Sequence, residues 1–411
     1  MRYRIIVLIT LISLPLSLKE GFGQEAAPGQ GRVIVPPTSV EQPGDIGKRA
    51  HTNHLIFVRP GATGTAPHGE TPASLACVYA TASPLVTGCP INGTTALPTG
   101  GSGTIAIVDA YDYPTAEDDL NAFSSQFGLP PCTSASGCFQ VVYASGTKPE
   151  PNCGWAQESA IDIEWAHAMA PGAKIVLVEA ASSSFSDLLQ GVAVASSLVA
   201  GSKGRDSGEV SMSWGGSEFR GETTLDSLFA TRNVVYFGAS GDSPGKPIYP
   251  AASPNVVAAG GTTVNRDSNG MFTSESAWKS GGGGPSKYEP LPSYQAAIAS
   301  IIGSTRGTPD FSFDADPSTG VSVYDTTPCQ GLSGWLVFGG TSVSSPSLAG
   351  IVNLAGSFLG STDLELSTIY SHLGNASDFR DITTGKAGKF RALTGWDFAT
   401  GAGSDQGTTG K

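Results

Sequence analysis

The chain has 411 residues, 54 of them glycine and 28 proline, and only 14 % are charged, against roughly 25 % in an ordinary globular domain. That composition excludes coiled coils, long amphipathic helices and charge-driven disorder, and leaves room for one large domain or two small ones. With 23 Lys+Arg against 35 Asp+Glu the net charge is -12, so a phosphate backbone would be repelled and nucleic acid is excluded as a partner.

Arg2 and Arg4 precede an apolar run over 5–18, followed by the small-x-small site Gly21-Phe22-Gly23. Residues 1–23 therefore read as a secretory signal peptide. The run falls short of the ~20 residues of a membrane span, and Pro15 interrupts it. A membrane-anchoring helix is the alternative. Nothing else in the sequence could cross a bilayer. Export permits disulfides, and the cysteines are even in number: Cys77, Cys89, Cys132, Cys138, Cys153 and Cys329. Fifteen pairings of six are open. Short loops favour Cys77 with Cys89 and Cys132 with Cys138, which leaves Cys153 with Cys329. The absence of any CxxC pair argues against zinc.

Residues 24–65 are polar, rich in Gly and Pro and without periodicity, and read as a flexible N-terminal arm, with order expected from about Thr71. Short apolar strands follow at 104–109, 174–179, 209–214, 233–238 and 255–260. Between them 116–127, 156–170, 185–200 and 223–231 read as helices. Such alternation predicts an α/β fold with a mostly parallel central sheet covered by helices on both faces. The expected organisation is a leader over 1–23, the arm over 24–65, a catalytic-type domain over 66–405 and a fraying Gly/Ser/Thr-rich tail over 406–411.

In an open α/β sheet, chemistry gathers where strands end and helices begin. The first such junction is Gly339-Gly340-Thr341-Ser342, between an apolar run and a helical segment. A serine at the first turn of a helix has its oxygen near amide donors and the positive end of the dipole, which suits a developing negative charge. An ordinary N-cap serine is the plainer reading.

The second junction is the helix over 156–170. At 100° per residue Asp162 falls about 40° from Glu158 and shares its face with Trp165, Met169 and Ile161, while Glu164 and His167 point elsewhere. Burial of two carboxylates beside large apolar side chains would raise at least one pKa and make a usable proton acceptor or donor. A solvated acidic face is the alternative. The third junction is Ser240-Gly241-Asp242-Ser243, where a strand runs into a small-residue turn. Asp242 could be a protonated hydrogen-bond donor in a pocket, or only an Asx-turn residue.

Taken with Glu158-Ser159-Ala160-Ile161-Asp162-Ile163-Glu164, Ser213-Trp214-Gly215 and Arg306-Gly307-Thr308-Pro309-Asp310, these segments resemble the sedolisin family, the serine-carboxyl peptidases, from Thr71 to about Gly403. The resemblance implies a subtilisin-like fold, with Ser342 as nucleophile, Glu158 as general base, Asp162 orienting Glu158, and Asp242 protonated in the oxyanion hole. It also implies a calcium site in which Asp381 and Asp397 give carboxylates and Ile382, Leu393 and Gly395 give backbone carbonyls, an all-oxygen shell suited to a hard cation. Leu393 stands where relatives often have Gly. Asp109, at a strand end, is either an outer member of the carboxylate network or a simple strand-end residue. A subtilisin-type triad on Asp109 lacks a histidine in an HGT-like motif among His51, His54, His68, His167 and His372. Sedolisins usually carry a prodomain of well over a hundred residues, and 24–65 is too short for one. Either the enzyme folds unaided or an inhibitor domain comes from another chain.

The sequence thus points to a secreted, monomeric serine-carboxyl endopeptidase that cuts polypeptides through an acyl-enzyme on Ser342, with Ca2+ as its metal. A carboxyl group donates a hydrogen bond only while protonated, so an acidic optimum is expected, at roughly pH 3 to 5 where ordinary carboxyl groups titrate. Two other readings are a non-catalytic peptide-binding protein on a peptidase scaffold and a retaining glycosidase using Glu158 and Asp162. The second is opposed by the placement of both carboxylates on one helix, because such enzymes flank the bond.

Overall fold

The computed structural model describes residues 31–61, 64–200 and 208–411. The leader read over 1–23 lies outside the described residues. Seven parallel strands form the body of a ten-stranded sheet, in the spatial order Phe311–Asp314, Val257–Arg266, Val234–Ala239, Gly208–Met212, Thr104–Ala110, Lys174–Ala180 and Phe139–Tyr143. Chain order reverses direction beside Thr104–Ala110. That is the switch point at which an open parallel sheet leaves a crevice beyond its strand ends.

Successive strand residues face opposite sides, and the core divides accordingly. Ile105 and Ile107 pack with Ile161, Trp165, Val343 and Ile351 from the helices Cys153–Met169 and Thr341–Ala355. Val108 and Val176 pack with Leu188 and Val192 from the helix Phe185–Ala200 on the other side. The first two helices lie close together. A Cβ on Gly350 would stand 2.6 Å from the Cβ of Met169, so glycine there lets the helices that carry Ser342 and Glu158 approach closely. The disulfides are Cys77–Cys89, Cys132–Cys138 and Cys153–Cys329, the pairing that loop length favours.

The segment read as one strand over 209–214 divides into Gly208–Met212, inside the sheet, and Trp214–Ser217, which leaves it to pair with Ile248–Tyr249 and His51–Thr52. The helix expected over 223–231 is two short 3-10 turns, Glu222–Thr224 and Asp226–Phe229.

Two expectations are corrected. Within the arm read as flexible, residues 31–58 are ordered. Arg32–Ile34 pairs with Leu55–Val58, which in turn pairs with Leu332–Gly339. The polar residues that suggested a linker are used internally: Ser39 Oγ lies 2.8 Å from Thr52 Oγ1, and Glu41 accepts from Ser217 N at 2.7 Å and from Ser217 Oγ at 2.6 Å. The tail is ordered too. Gly407 N donates to Tyr79 O at 2.8 Å, and buried Lys411 places Nζ 3.1 Å from Asp405 Oδ1.

The Arg306–Asp310 motif serves the fold. Arg306 and Asp310 are fully buried, joined by two hydrogen bonds of 2.7 and 2.6 Å, and Asp310 also accepts from Ala258 N at 2.7 Å and Tyr370 OH at 2.8 Å. These further bonds offset part of the cost of burying the charge pair, although Arg306 Nε is left without a partner.

Candidate active site

Ser342 is the second residue of the helix Thr341–Ala355, entered from the strand Leu332–Gly339 through Gly340. Gly340 has φ +105°, a conformation that side chains disfavour. A Cβ there would lie 2.2 Å from Asn53 O, 2.6 Å from Asp242 Oδ2 and 2.8 Å from His54 Cα. Two distant parts of the chain, 53–54 and Asp242, therefore converge on one point beside the serine. Pro346 sits one turn on and lacks the N–H that would bond the Ser342 carbonyl. Ser213 Oγ reaches that carbonyl at 3.3 Å instead. The Ser342 hydroxyl donates to Ser213 O at 3.2 Å and lies 3.2 Å from Asn53 N.

Asp242 follows the strand Val234–Ala239. Its Oδ1 accepts from Thr341 N at 2.8 Å and Thr341 Oγ1 at 2.9 Å, while Oδ2 is out of solvent and without a partner. Burial pushes the Asp242 carboxyl up to about 8, against the opposing Thr341 bonds and with help from the Glu158 charge. Oδ2 is the oxygen that faces the Gly340 point.

The carboxylate helix Cys153–Met169 is capped by Asn152, whose Oδ1 accepts from Gly154 N and Trp155 N at 3.1 and 3.2 Å. Every residue from Gly154 to Met169 is buried, so no face of it is solvated. Glu158 Oε2 lies 2.7 Å from His54 Nδ1, and Oε1 is unpartnered. Asp162 Oδ1 accepts from Ser213 Oγ at 2.7 Å. Burial raises the Asp162 carboxyl well above the usual range, followed by the charges of Asp109 and Glu158. Asp109 is fully buried with both oxygens unpartnered, and burial and then Glu158 raise it as well. It belongs to the carboxylate cluster, one of the two readings of this residue. Glu164 and His167 point away as the helical angles require, to Tyr324 N at 3.0 Å and Pro130 O at 2.9 Å.

Segment 53–54, Ser213 and Thr341 link the four residues singled out by sequence, but Glu158 makes no hydrogen bond to Ser342 or to Asp162. His54 and Ser213 hold those positions. Asn53 and His54 are the site residues that sequence reasoning missed. The run His51-Thr52-Asn53-His54 has neither periodicity nor a motif, and it sits in a stretch whose composition reads as linker.

In the C-terminal loop, Asp381 accepts from Gly395 N at 3.2 and 3.1 Å, and Asp397 Oδ2 accepts from Leu393 N at 2.7 Å. Asp397 Oδ1 takes Ala399 N and Thr400 N at 2.8 and 2.9 Å. Burial lifts Asp397 to about 6 despite these bonds.

No protein-family model matches the chain. Among curated proteins it is 32 % identical to sedolisin from Pseudomonas sp. strain 101 over 231 residues, covering 47 % of this chain and 38 % of the relative. It is 33 % identical to kumamolisin from Bacillus sp. strain MN-32 over 288 residues, covering 60 % of this chain and 49 % of the relative. Of solved structures, Pseudomonas sedolisin bound to pseudo-iodotyrostatin superposes with TM-score 0.66 at 25 % identity, over 83 % of this chain and 96 % of that one. The chain is similar to the sedolisins in sequence and in fold. It spans less than half the length of the curated sedolisins it matches. Sphericase superposes with TM-score 0.51 at 19 % identity, so the sedolisin fold here is the subtilisin-like one.

Proposed function

We propose that this chain is a secreted serine-carboxyl endopeptidase that is active in acid. The observation that carries the reading is the pair of groups flanking one point beside Ser342: its own backbone N–H, and the Oδ2 of a carboxyl that holds its proton to about pH 8. Two donors aimed at one position are what a tetrahedral oxyanion needs.

Ser342 supplies the attacking oxygen. Glu158, dehydrated on a buried helix, takes its proton and returns it to the departing amine. Asp162 and Asp109 hold the neighbouring positions around Glu158, with Ser213 tying Asp162 to Ser342. Asp242, protonated, donates to the oxyanion. Three disulfides suit an oxidising compartment, and among the described residues no helix is long and apolar enough to cross a membrane.

The C-terminal loop suits a calcium ion. Asp381 and Asp397 converge on the same segment, 393–395, and with the carbonyls of Ile382, Leu393 and Gly395 they form an all-oxygen donor set. Bound calcium would offset the buried Asp397 charge and fix the loop, and takes no part in peptide chemistry.

Incubation with denatured protein at acid pH, with wild type beside Ser342→Ala, tests the reading. Cleavage by wild type alone supports it. Peptide binding without cleavage by either protein would mean a binding module on a peptidase scaffold.

A further inference from the structure

The disulfide Cys132–Cys138 closes a small loop against His167, near the C-terminal end of the helix that carries Glu158. One ligand atom from each of the three residues, the two sulfurs and an imidazole nitrogen, lie within 4.8 Å of one another. Tetrahedral zinc, with bonds of about 2.3 Å to sulfur and about 2.0–2.1 Å to nitrogen, has ligand-to-ligand edges of about 3.6–3.8 Å. Small shifts would let the three atoms share one ion once the sulfurs part.

His167 is prepared as a ligand. It is wholly buried, and its Nε2 lies 2.9 Å from Pro130 O. A carbonyl only accepts, so Nε2 carries the hydrogen. Nδ1 is buried without a partner. A proton there would add a charge and an unmet donor in the interior, so the nitrogen keeps its lone pair. An imidazole tied to a backbone carbonyl through one nitrogen and open at the other is the arrangement that orients metal-ligating histidines.

The cysteine backbones are held without the S–S bond. Asn121, on the helix Ala116–Phe127, accepts from Cys132 N at 3.2 Å and donates to Cys132 O at 3.4 Å. Ile175 N, on the strand Lys174–Ala180, donates to Cys138 O at 2.8 Å. Within the loop, Gly137 N donates to Ser134 O at 3.1 Å, and Ser134 N donates to Glu117 at 2.9 Å. Reduction therefore frees two thiols that stay beside His167. Cys132 is buried and Cys138 half-buried, which gives a soft donor set with one edge through which an ion can enter.

We propose that Cys132, Cys138 and His167 form a redox-gated zinc site, closed as a disulfide when oxidised and binding Zn2+ when reduced. A phosphine reductant and one water convert the disulfide to two thiols, and the phosphine leaves as its oxide. The ion then displaces both thiol protons to solvent. Two thiolates and His167 Nδ1 donate their lone pairs, and water takes the fourth position. A newly made chain, whose thiols are not yet joined, is in the same state. Zinc and the S–S bond compete for the same two sulfurs, and the ion fastens the loop to the helix Cys153–Met169 for as long as that bond is absent. The inference is independent of the peptidase reading.

The test uses the full chain carrying Ser342→Ala, which prevents proteolysis of the sample, before and after reduction by a water-soluble phosphine at neutral pH. Folding is followed by circular dichroism. Zinc alone is the ligand, and cobalt(II) is its spectroscopic stand-in, because thiolate charge-transfer and tetrahedral d–d bands report the ligand set. The expected result is cobalt–thiolate bands in the reduced protein, displaced by one equivalent of zinc, and none in the oxidised protein. His167→Gln should weaken zinc binding by at least about tenfold, the lower end of what loss of even an outer-shell partner costs. Replacing Cys132 and Cys138 together by Ser should abolish the bands. Equal binding by the double-serine variant would put the metal on other thiols, and an unchanged affinity in His167→Gln would remove the imidazole; either result overturns the site. Absence of cobalt–thiolate bands in the reduced protein, or its unfolding in the presence of zinc, does the same. Should the variants not fold, alkylation mapped by mass spectrometry decides: zinc should slow iodoacetamide at Cys132 and Cys138 and spare the rates at Cys77, Cys89, Cys153 and Cys329. Equal slowing at all six sinks the proposal.

Discussion

His54 Nδ1 and Glu158 Oε2 lie 2.7 Å apart with both side chains wholly buried. While this pair persists, one oxygen of Glu158 is occupied by an imidazole that arrives from residues 31–58, and not by Ser342.

If Glu158 and Ser342 form one proton-transfer unit, Ser342→Ala and Glu158→Gln should each lower protein cleavage by about a thousandfold or more, and the double variant should be no worse than either single one. Initial rates on a denatured protein substrate check this. Additive losses would mean that the two residues act separately.

Asp242 donates only while protonated, and burial holds its carboxyl near 8. Activity should persist through the acid range and fall as pH rises toward that value. The expected optimum of roughly pH 3 to 5 followed from ordinary carboxyl groups; the burial of Asp242 extends the upper limit beyond it. Asp242→Asn keeps a donor at every pH, so whatever activity the variant retains should lack most of the alkaline decline. A pH profile of kcat for both proteins decides the point.

Stability should fall with rising pH. Burial raises Glu179 and Asp325 to about 7, Glu222 to about 8 and Glu289 to about 9. A carboxyl whose folded pKa exceeds its unfolded one binds more protons in the native state. Its contribution is complete below about pH 4 and is lost as pH climbs through the folded value. The Tm should therefore be highest in acid and drop between about pH 5 and 9. With 23 Lys+Arg and 5 His, full protonation brings little self-repulsion to oppose this. A Tm that rises from pH 4 to pH 8 would contradict it.

Calcium binding to the folded state alone would add stability by mass action. Chelation at a pH where Asp397 is ionised, above about 6, should then lower the Tm, and Asp397→Ala should remove the response. Identical melting curves with and without chelator would exclude the ion.

Arg306→Ala should destabilise the protein by about 3–5 kcal/mol, because it leaves Asp310 buried without its cation, and it should do so without changing the pH profile of the remaining activity. Denaturant unfolding and the same kinetic assay separate the two effects.

The strands and helices of the sheet were legible because their signal is local. Ile105, Ile107 and Val108 alternate between the two core layers, and the 3.6-residue spacing that put Glu158 and Asp162 together also sent His167 to Pro130. The short loops pointed to the disulfide pairing as well. What could not be read was pairing at long range. Residues 51–54 are ordered by Trp214–Ser217 and by Ser342, far along the chain, and no spacing within 24–65 carries that information. The ordered tail has the same cause: Lys411 is fixed by Asp405 and Asp378, partners that Gly/Ser/Thr composition does not announce. Arg306–Asp310 shows the converse: a segment noted only for its part in the family resemblance holds the core.

Pro346 withdraws one helical donor from the Ser342 carbonyl, and Ser213 fills the gap with a hydroxyl that also faces Asp162. That hydroxyl owns a single hydrogen for two acceptors. When Asp162 carries a proton, which burial favours, the carboxyl can donate to Ser213, and the hydroxyl hydrogen is free to turn toward Ser342. When Asp162 is ionised, the hydrogen is drawn to the carboxylate and the Ser342 carbonyl loses its donor. The direction of this short relay thus lets the protonation of one buried acid reach the backbone of Ser342 without any atom heavier than hydrogen moving.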